Sequence, residues 1–378
     1  MRTQTVWALA ALCVAGCSTP TDPPTPMPTP ITTSSEALAP GRQVFNRPGD
    51  LLIADQFNNR VIEVAPHSGR IVWSFGLGPD DVSEGSIIGV NDAQRVGAYT
   101  LMAGTGAPPG TEPKCPTGCV DNRVLLVDEQ GNVRWQYGQF GVTGSRFDQL
   151  SSPVQATWLP EGRVLITDQG NQRVIEVDAY KNIVWQYGTT GLPGYYENQL
   201  NSPNSAELLA NGHVLIADEG NGRALEVSRT QHIVKEFTAQ GTASGVAFAS
   251  RLGNGHTLMT DSDHDRIVEV NADDEVVWEF FTNRRRHSNE NPVPTRAVRL
   301  ANGSTLIADQ FNHQVIEVDR DGVVVASFGT IDAPGFGAHD VRAGLNAPYD
   351  AKVVGDYTGL TPPILRHGLD VNGDEAER

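Results

Sequence analysis

One thirteen-residue stretch occurs twice in this chain. Residues 52–64 read LIADQFNNRVIEV and residues 306–318 read LIADQFNHQVIEV, differing at two positions. Further copies stand between them: VLITDQGNQRVIEV at 164–177, VLIADEGNGRALEV at 214–227 and TLMTDSDHDRIVEV at 257–270. Their aspartates are Asp55, Asp168, Asp218, Asp261 and Asp309, and the last three gaps are 50, 43 and 48 residues. The first gap, 113 residues, is two periods, and a split copy fills it. TLMAGTG at 100–106 supplies the first half; after an insert, DNRVLLVDEQGNVRWQYG at 121–138 supplies the second. A repeat of this length restricts the chain to a solenoid or a propeller.

The copies are short runs rich in Val and Ile, broken by Asp, Asn and Gly, and none keeps a 3.6-residue apolar period. They are strands, not helices. The third unit shows four: PVQATWL, VLITD, RVIEV and IVWQYG, separated by turn signals such as Glu161-Gly162. Runs apolar on both faces suit sheets stacked against neighbouring sheets. Four strands per unit of this length is the pattern of a propeller blade.

The first strand of each unit gives the count. One position in it is always alanine: Ala93, Ala156, Ala206, Ala249, Ala297 and Ala351. A small side chain is wanted where inner strands crowd around an axis. Ala351 has no further blade after it, and the first copy, NRPGDLLIADQ, has no inner strand before it. NAPYDAKVV near the C-terminus is therefore expected to complete blade one. The fold predicted is all-β: a six-bladed β-propeller of four-stranded blades, with blade one closed by the C-terminal inner strand.

The loop between the second and third strands carries D-x-x-N-x-R. Asp55-Asn58-Arg60, Asp168-Asn171-Arg173 and Asp218-Asn221-Arg223 match fully; Asp261-His264-Arg266 and Asp309-Asn312-Gln314 each depart once, and blade two has Gly104 at the aspartate position. These units resemble NHL-type repeats. The resemblance implies a propeller, in a family of ligand binders, interaction scaffolds and a few enzymes, so it speaks to fold more than activity. SAELLANGHVLIAD more weakly resembles arylsulfotransferase propellers, which use a histidine in the channel; here His213 and His256 fall in the turn after the inner strand. Residues repeated in every blade read as structural: Asp and Asn hold turn amides and Arg reaches the carboxylate. Glu63, Glu176, Glu226, Glu269 and Glu317 interrupt apolar strands and are expected to pair with a polar group of the next blade. Trp73, Trp135, Trp185 and Trp278 recur in the fourth strand as outer-blade packing.

The N-terminus reads MRTQTVWALAALCVAGC. A basic start, a short apolar run and small residues before a cysteine form a secretory signal. It resembles the bacterial lipoprotein signal, whose lipobox Val14-Ala15-Gly16-Cys17 places a lipid on Cys17. The expected organisation is a lipoprotein signal at 1–17, a tether rich in Pro and Thr at 18–45, the propeller at 46–360 and a polar tail at 361–378. The protein is expected outside the cytoplasm, held to a bacterial membrane by the lipid. Cys115 and Cys119, in the blade-two insert, are expected to form a disulfide in that oxidising setting. A net charge of −17 argues against nucleic acid as a partner.

Function is expected where the blades differ. The loops from strand four to the next strand one are long and share a face with the D-x-x-N-x-R loops; they carry Phe140, Phe147, Tyr195, Tyr196 and Phe336. The residue before each alanine varies: Asp92, Gln155, Ser205, Phe248, Arg296 and Asp350. In circular order Arg296, Asp350 and Asp92 are neighbours, with Asn91 and Tyr349 beside them. An Arg296–Asp350 ion pair is one reading. A ligand site at the channel mouth, formed by Asn91, Asp92, Gln155, Arg296, Tyr349 and Asp350, is the other, with calcium as a cation two carboxylates suit. Asp261-Ser262-Asp263-His264-Asp265 and Asp370-Val371-Asn372-Gly373-Asp374 also space acids like calcium loops, but each lacks a required position. The leading expectation is an anchored propeller that binds a protein, glycan or small ligand on its loop-rich face. The alternative is a propeller enzyme of lyase, lactonase or sulfotransferase type.

Overall fold

The structure, a computed structural model, describes residues 45–337, 341–342, 344–358, 360 and 362. The signal with Cys17, nearly all of the tether, and Asp370–Asp374 in the tail lie outside the described residues.

Six four-stranded antiparallel sheets form a ring, as the repeat predicted. Five blades run consecutively along the chain, with inner strands Val90–Val96, Pro153–Trp158, Pro203–Leu208, Val246–Arg251 and Pro294–Arg299. Blade one takes Leu51–Asp55, Arg60–Ala65 and Arg70–Phe75 from the start of the domain and its inner strand, Pro348–Val353, from the end. That strand pairs antiparallel with Leu51–Asp55, placing Ala351 opposite Ile53. The two near-identical stretches of the sequence thus lie in adjacent blades.

The apolar core is distributed between blades. Leu52, Val61, Trp73 and Phe75 of blade one pack on Val90, Ala93, Met102 and Leu125 of blade two, and equivalent clusters fill the other five seams. Second and third strands are buried on both faces, which is why their sequences read as nearly unbroken apolar runs.

The repeated loop is a structural clasp. Asp168 accepts hydrogen bonds from Asn171 Nδ2 (2.7 Å), Arg173 Nε (2.8 Å) and Ser151 N (2.8 Å), tying the turn to the loop that enters the inner strand. Asp55 and Asp218 repeat this set. Asp261 is held by Arg266, His264 and Ser244 N, so the calcium-like spacing there serves the same clasp. The departures are repaired locally. In blade six, where Gln314 replaces arginine, Arg285 enters from the preceding loop to pair with Asp309 and donates to Gln314 Oε1 (2.9 Å). In blade two Asp121 supplies the carboxylate, binding Arg123 Nε (2.6 Å) and Ile88 N (2.7 Å). A Cβ at Gly104 would lie 2.6 Å from the Asp121 carboxyl carbon, so the glycine makes room for the relocated acid. The insert extends strands Tyr99–Ala107 and Cys119–Val127, and the expected Cys115–Cys119 disulfide closes it.

Candidate functional site

Each inner strand is the free edge of its blade, so its axial N–H groups lack a ladder partner. Side chains of the neighbouring blade provide one. Asp350 accepts from Ala93 N (3.2 Å), Asp92 from Ala156 N (3.2 Å), Gln155 from Ala206 N (2.5 Å) and Ser205 from Ala249 N (3.2 Å). Two residues further along the strand, Gln94 accepts from Trp158 N (2.8 Å) and Glu207 from Arg251 N (3.1 Å). The variable position before the alanine thus stitches the channel wall, and the alanine's own N–H receives the stitch. A register shift just before this position recurs in all six inner strands. Such bulges re-aim side chains.

The ring breaks at Phe248 and Arg296. Arg296 is 1% exposed and crosses the axis. It donates from Nη1 to Asn204 Oδ1 (3.0 Å) and the Ala247 carbonyl (3.2 Å), and from Nη2 to the carbonyls of Val154 (3.3 Å) and Asn204 (3.2 Å). Blades three, four and five are thereby tied to blade six. Its guanidinium carbon stands 4.9 Å from the Tyr349 ring centroid and 5.4 Å from that of Phe248. An Arg296–Asp350 ion pair is therefore not what the fold makes. Adjacent positions in the ring do not oblige contact when a long side chain finds four acceptors on other blades.

The cation for the two carboxylates is Lys352. Its ammonium pairs with Asp92 Oδ1 (2.8 Å) and with Asp350, and donates to the Ala93 carbonyl (2.8 Å). No motif marks Lys352 in the sequence, although the two-residue period of a strand puts it on the same side as Asp350. The same signal marks Gln94 and Glu207. Calcium does not fit this pair: it takes six to eight oxygens. Here Lys352 and the wall amides engage both carboxylates, leaving Asp350 Oδ1 alone without a partner. Among the described residues no group of three or more His, Cys, Asp or Glu stands ready for a metal.

Burial pushes the Asp92 carboxyl up to about 6, against the pull of Lys352 and with a further push from Asp350. Burial also disfavours the Lys352 ammonium, but its two carboxylates outweigh that and raise its pKa. Glu207 is pushed by burial to about 8, with only the Arg251 amide and charge opposing, so it carries a proton at neutral pH. Between Asp92, Gln155, Glu207, Phe248, Lys352 and Leu360 remains a cavity of about 20 Å³, room for one water.

On the loop-rich face the channel is roofed by polar contacts. Tyr349 OH accepts from Asn204 Nδ2 (2.8 Å), which also donates to Glu219 (2.8 Å). Asn91 accepts from Gln56 (2.7 Å), which accepts from Gln310 (2.7 Å). The structure therefore brings Arg296 against Tyr349 and Asp92 against Asp350, with Asn91 in the surrounding network and Gln155 in the wall.

Outside this roof the long loops stand free. Phe147, Tyr196 and Phe336 are 65%, 79% and 74% exposed. Phe140 and Tyr195 are less available, lying under Arg123 and Arg223. The loop between blades four and five is short, and beside it opens a polar depression of about 600 Å³ lined by Gln169, Glu219, Asn221, Ser244 and Asp263.

No protein-family model matches the sequence, and no curated protein does. The fold is similar to that of a Bacteroides caccae protein of unknown function, at 16% identity and TM-score 0.54, covering 76% of this chain and 97% of that one. It is similar to a streptogramin B lyase at 14% identity and TM-score 0.51, covering 75% and 81%. The WD40 propeller domain of Doa1 matches at 12% identity and TM-score 0.47, covering 75% and 84%. At these identities the likeness is one of fold.

Proposed function

We propose that this chain is a lipid-anchored, extracytoplasmic recognition propeller that binds a protein, glycan or small ligand through its loop-rich face. The observation that carries the reading is the contrast between a filled axis and a bare rim. Arg296, Lys352, Asp92 and Asp350 satisfy one another and the inner-strand backbone, leaving little space for a substrate. Phe147, Tyr196 and Phe336 are large aromatic side chains exposed to solvent on the face where the sequence varies most. Aromatic residues exposed on loops over a rigid scaffold are the usual anchors of recognition. The NHL-like units and lipobox support a scaffold carried on the outer side of a membrane, with Cys17 as the acylated residue.

The enzyme alternative, of lyase, lactonase or sulfotransferase type, has the streptogramin B lyase fold likeness behind it, which concerns fold alone. The test places a photo-crosslinking amino acid at Phe147, at Tyr196 and, as a control on an outer strand, at Val184 in the producing cell. One common adduct from the two loop positions, absent from Val184, supports the reading. The same adducts from all three positions, or none from the loops, contradicts it.

A further inference from the structure

Five seams of the ring are sealed by large side chains, and one is not. In four of them a strand-three glutamate meets an arginine, and a long strand-four side chain reaches a turn carbonyl of the next blade. Between blades one and two, Glu63 pairs with Arg95 (2.5 Å), Arg95 lies over the Trp73 ring (5.0 Å), and Trp73 Nε1 donates to the Glu129 carbonyl (2.8 Å). Between three and four, Glu176 pairs with Arg229, which lies over Trp185, and Trp185 donates to the Arg229 carbonyl. Between four and five, Glu226 pairs with Arg251, and Lys235 reaches the Ala272 carbonyl. Between five and six, Glu269 pairs with Arg299 and Arg320, and Trp278 donates to the Arg320 carbonyl. Between two and three the seam is apolar, with Leu126, Trp135 and Trp158.

Between blades six and one every part of this device is missing except the acid. Ala326, opposite Glu317, holds the tryptophan position, and Val353 of the inner strand holds the place of Arg95, Arg251 and Arg299. Pro66 occupies the turn position of Glu129 and Arg320. Glu317 accepts a hydrogen bond from Asn302 Nδ2 (2.9 Å), makes no ion pair with a described residue, and is more exposed than its buried counterparts. Among the described residues the expected contact to the next blade is therefore absent at Glu317. A groove of about 520 Å³ opens there, floored by Leu51, Leu300, Leu306 and Phe328. It lies on the side of the short turns, opposite the long loops.

We infer that this groove is a binding site for a partner-protein segment in which an aromatic residue adjoins an arginine. The repeat itself defines the missing chemistry. The arginine meets Glu317 and the aromatic ring fills the space over Ala326, as arginine and tryptophan do in the neighbouring seams. A carboxylate beside an apolar floor favours a cationic occupant with a flat apolar body over an anionic or purely apolar one. The volume falls in the range of side-chain and small-ligand pockets. The site is independent of the loop-rich face, so the two stand or fall separately.

The test titrates the full chain with fluorescent Ac-Trp-Arg-NH₂ and Ac-Trp-Gln-NH₂ at low ionic strength. The Trp-Arg probe is expected to bind about tenfold more tightly, the worth of one charge-assisted contact. Glu317→Gln should erase that difference without weakening the Trp-Gln probe. Ala326→Trp, which restores the repeat, should abolish binding of both. Val353→Arg, which gives Glu317 an internal partner, should abolish the Trp-Arg preference even where Ala326→Trp fails to fold. Equal affinity of the two probes, or indifference to Glu317→Gln, overturns the proposal. Binding that emerges only in Arg366→Ala also overturns it, because the chain's own tail would then be the occupant.

Discussion

Asp168 and Asp92 are both buried carboxylates, yet they belong to different regimes. Asp168 sits in a loop that other blades repeat, with the same asparagine, arginine and backbone amide around it. Asp92 sits on the axis, where the residue changes from blade to blade, and its partners are the Ala156 amide of the next blade and Lys352 from the closing strand. The loop clasp shows what a blade needs in order to be a blade. The axis shows what this ring needs in order to be closed: one acid accepts an amide, its neighbour does the same, and a lysine from the closing strand neutralises both. Variation along the axis is thus not evidence of a working site by itself.

Removing the closing strand should do the most damage. A stop after Gly344 deletes Pro348–Val353, leaves blade one with a bare edge and takes Lys352 from the axis. Loss of a cooperative thermal transition is expected; a melting temperature equal to that of the parent would show that the ring closes some other way.

Next in size are the two kinds of carboxylate partner. Lys352→Ala strands two acids and Asp168→Ala strands Arg173, each at a cost of about 3–5 kcal/mol. Their pH responses separate them. With a pKa near 6, Asp92 can take a proton, so the Lys352→Ala penalty shrinks from pH 8 to pH 5. The Arg173 guanidinium cannot shed its charge, so the Asp168→Ala penalty does not shrink. Denaturant melts at both pH values give the answer.

Glu207→Gln is a smaller and opposite change. The folded pKa of about 8 lies above the ordinary carboxyl value of about 4.3. The native state therefore holds a proton the unfolded chain has lost, and stability falls as pH rises between those values. The glutamine variant should lack that decline and become more stable than the parent toward pH 8, while matching it near pH 4. Partial solvent contact keeps the slope below the limit of about 1.4 kcal/mol per pH unit. Parallel stability curves would contradict it. Ser205→Ala, which removes one acceptor from the wall, should cost only about 1 kcal/mol in the same measurement.

Much of the fold was legible because a repeat states its own boundaries. The alanine of each inner strand counted six blades, and the missing first strand of blade one pointed to NAPYDAKVV. The facing of Asp92, Gln155, Ser205 and Asp350 followed from one aligned position. What escaped depended on side-chain length. Lys352 lay two residues past the aligned acid, and Arg296 bypassed its neighbour for carbonyls across the axis. The relocated Asp121 and the substitute Arg285 were hidden because a clasp conserves a position in space, which a residue elsewhere in the chain can fill. Ala326 was legible as a gap in the tryptophan series, but its consequence required seeing which turn and which inner strand faced it.

The axis is sealed by the protein itself, while the loop face is open. Two cysteine variants of the full chain, Ser205→Cys on the axis and Tyr196→Cys on the face, test it with a water-soluble thiol reagent. Tyr196→Cys should react as fast as an unfolded peptide thiol, and Ser205→Cys about a thousandfold more slowly or less, through opening of the fold. Equal rates at the two positions would show an accessible channel and contradict the account.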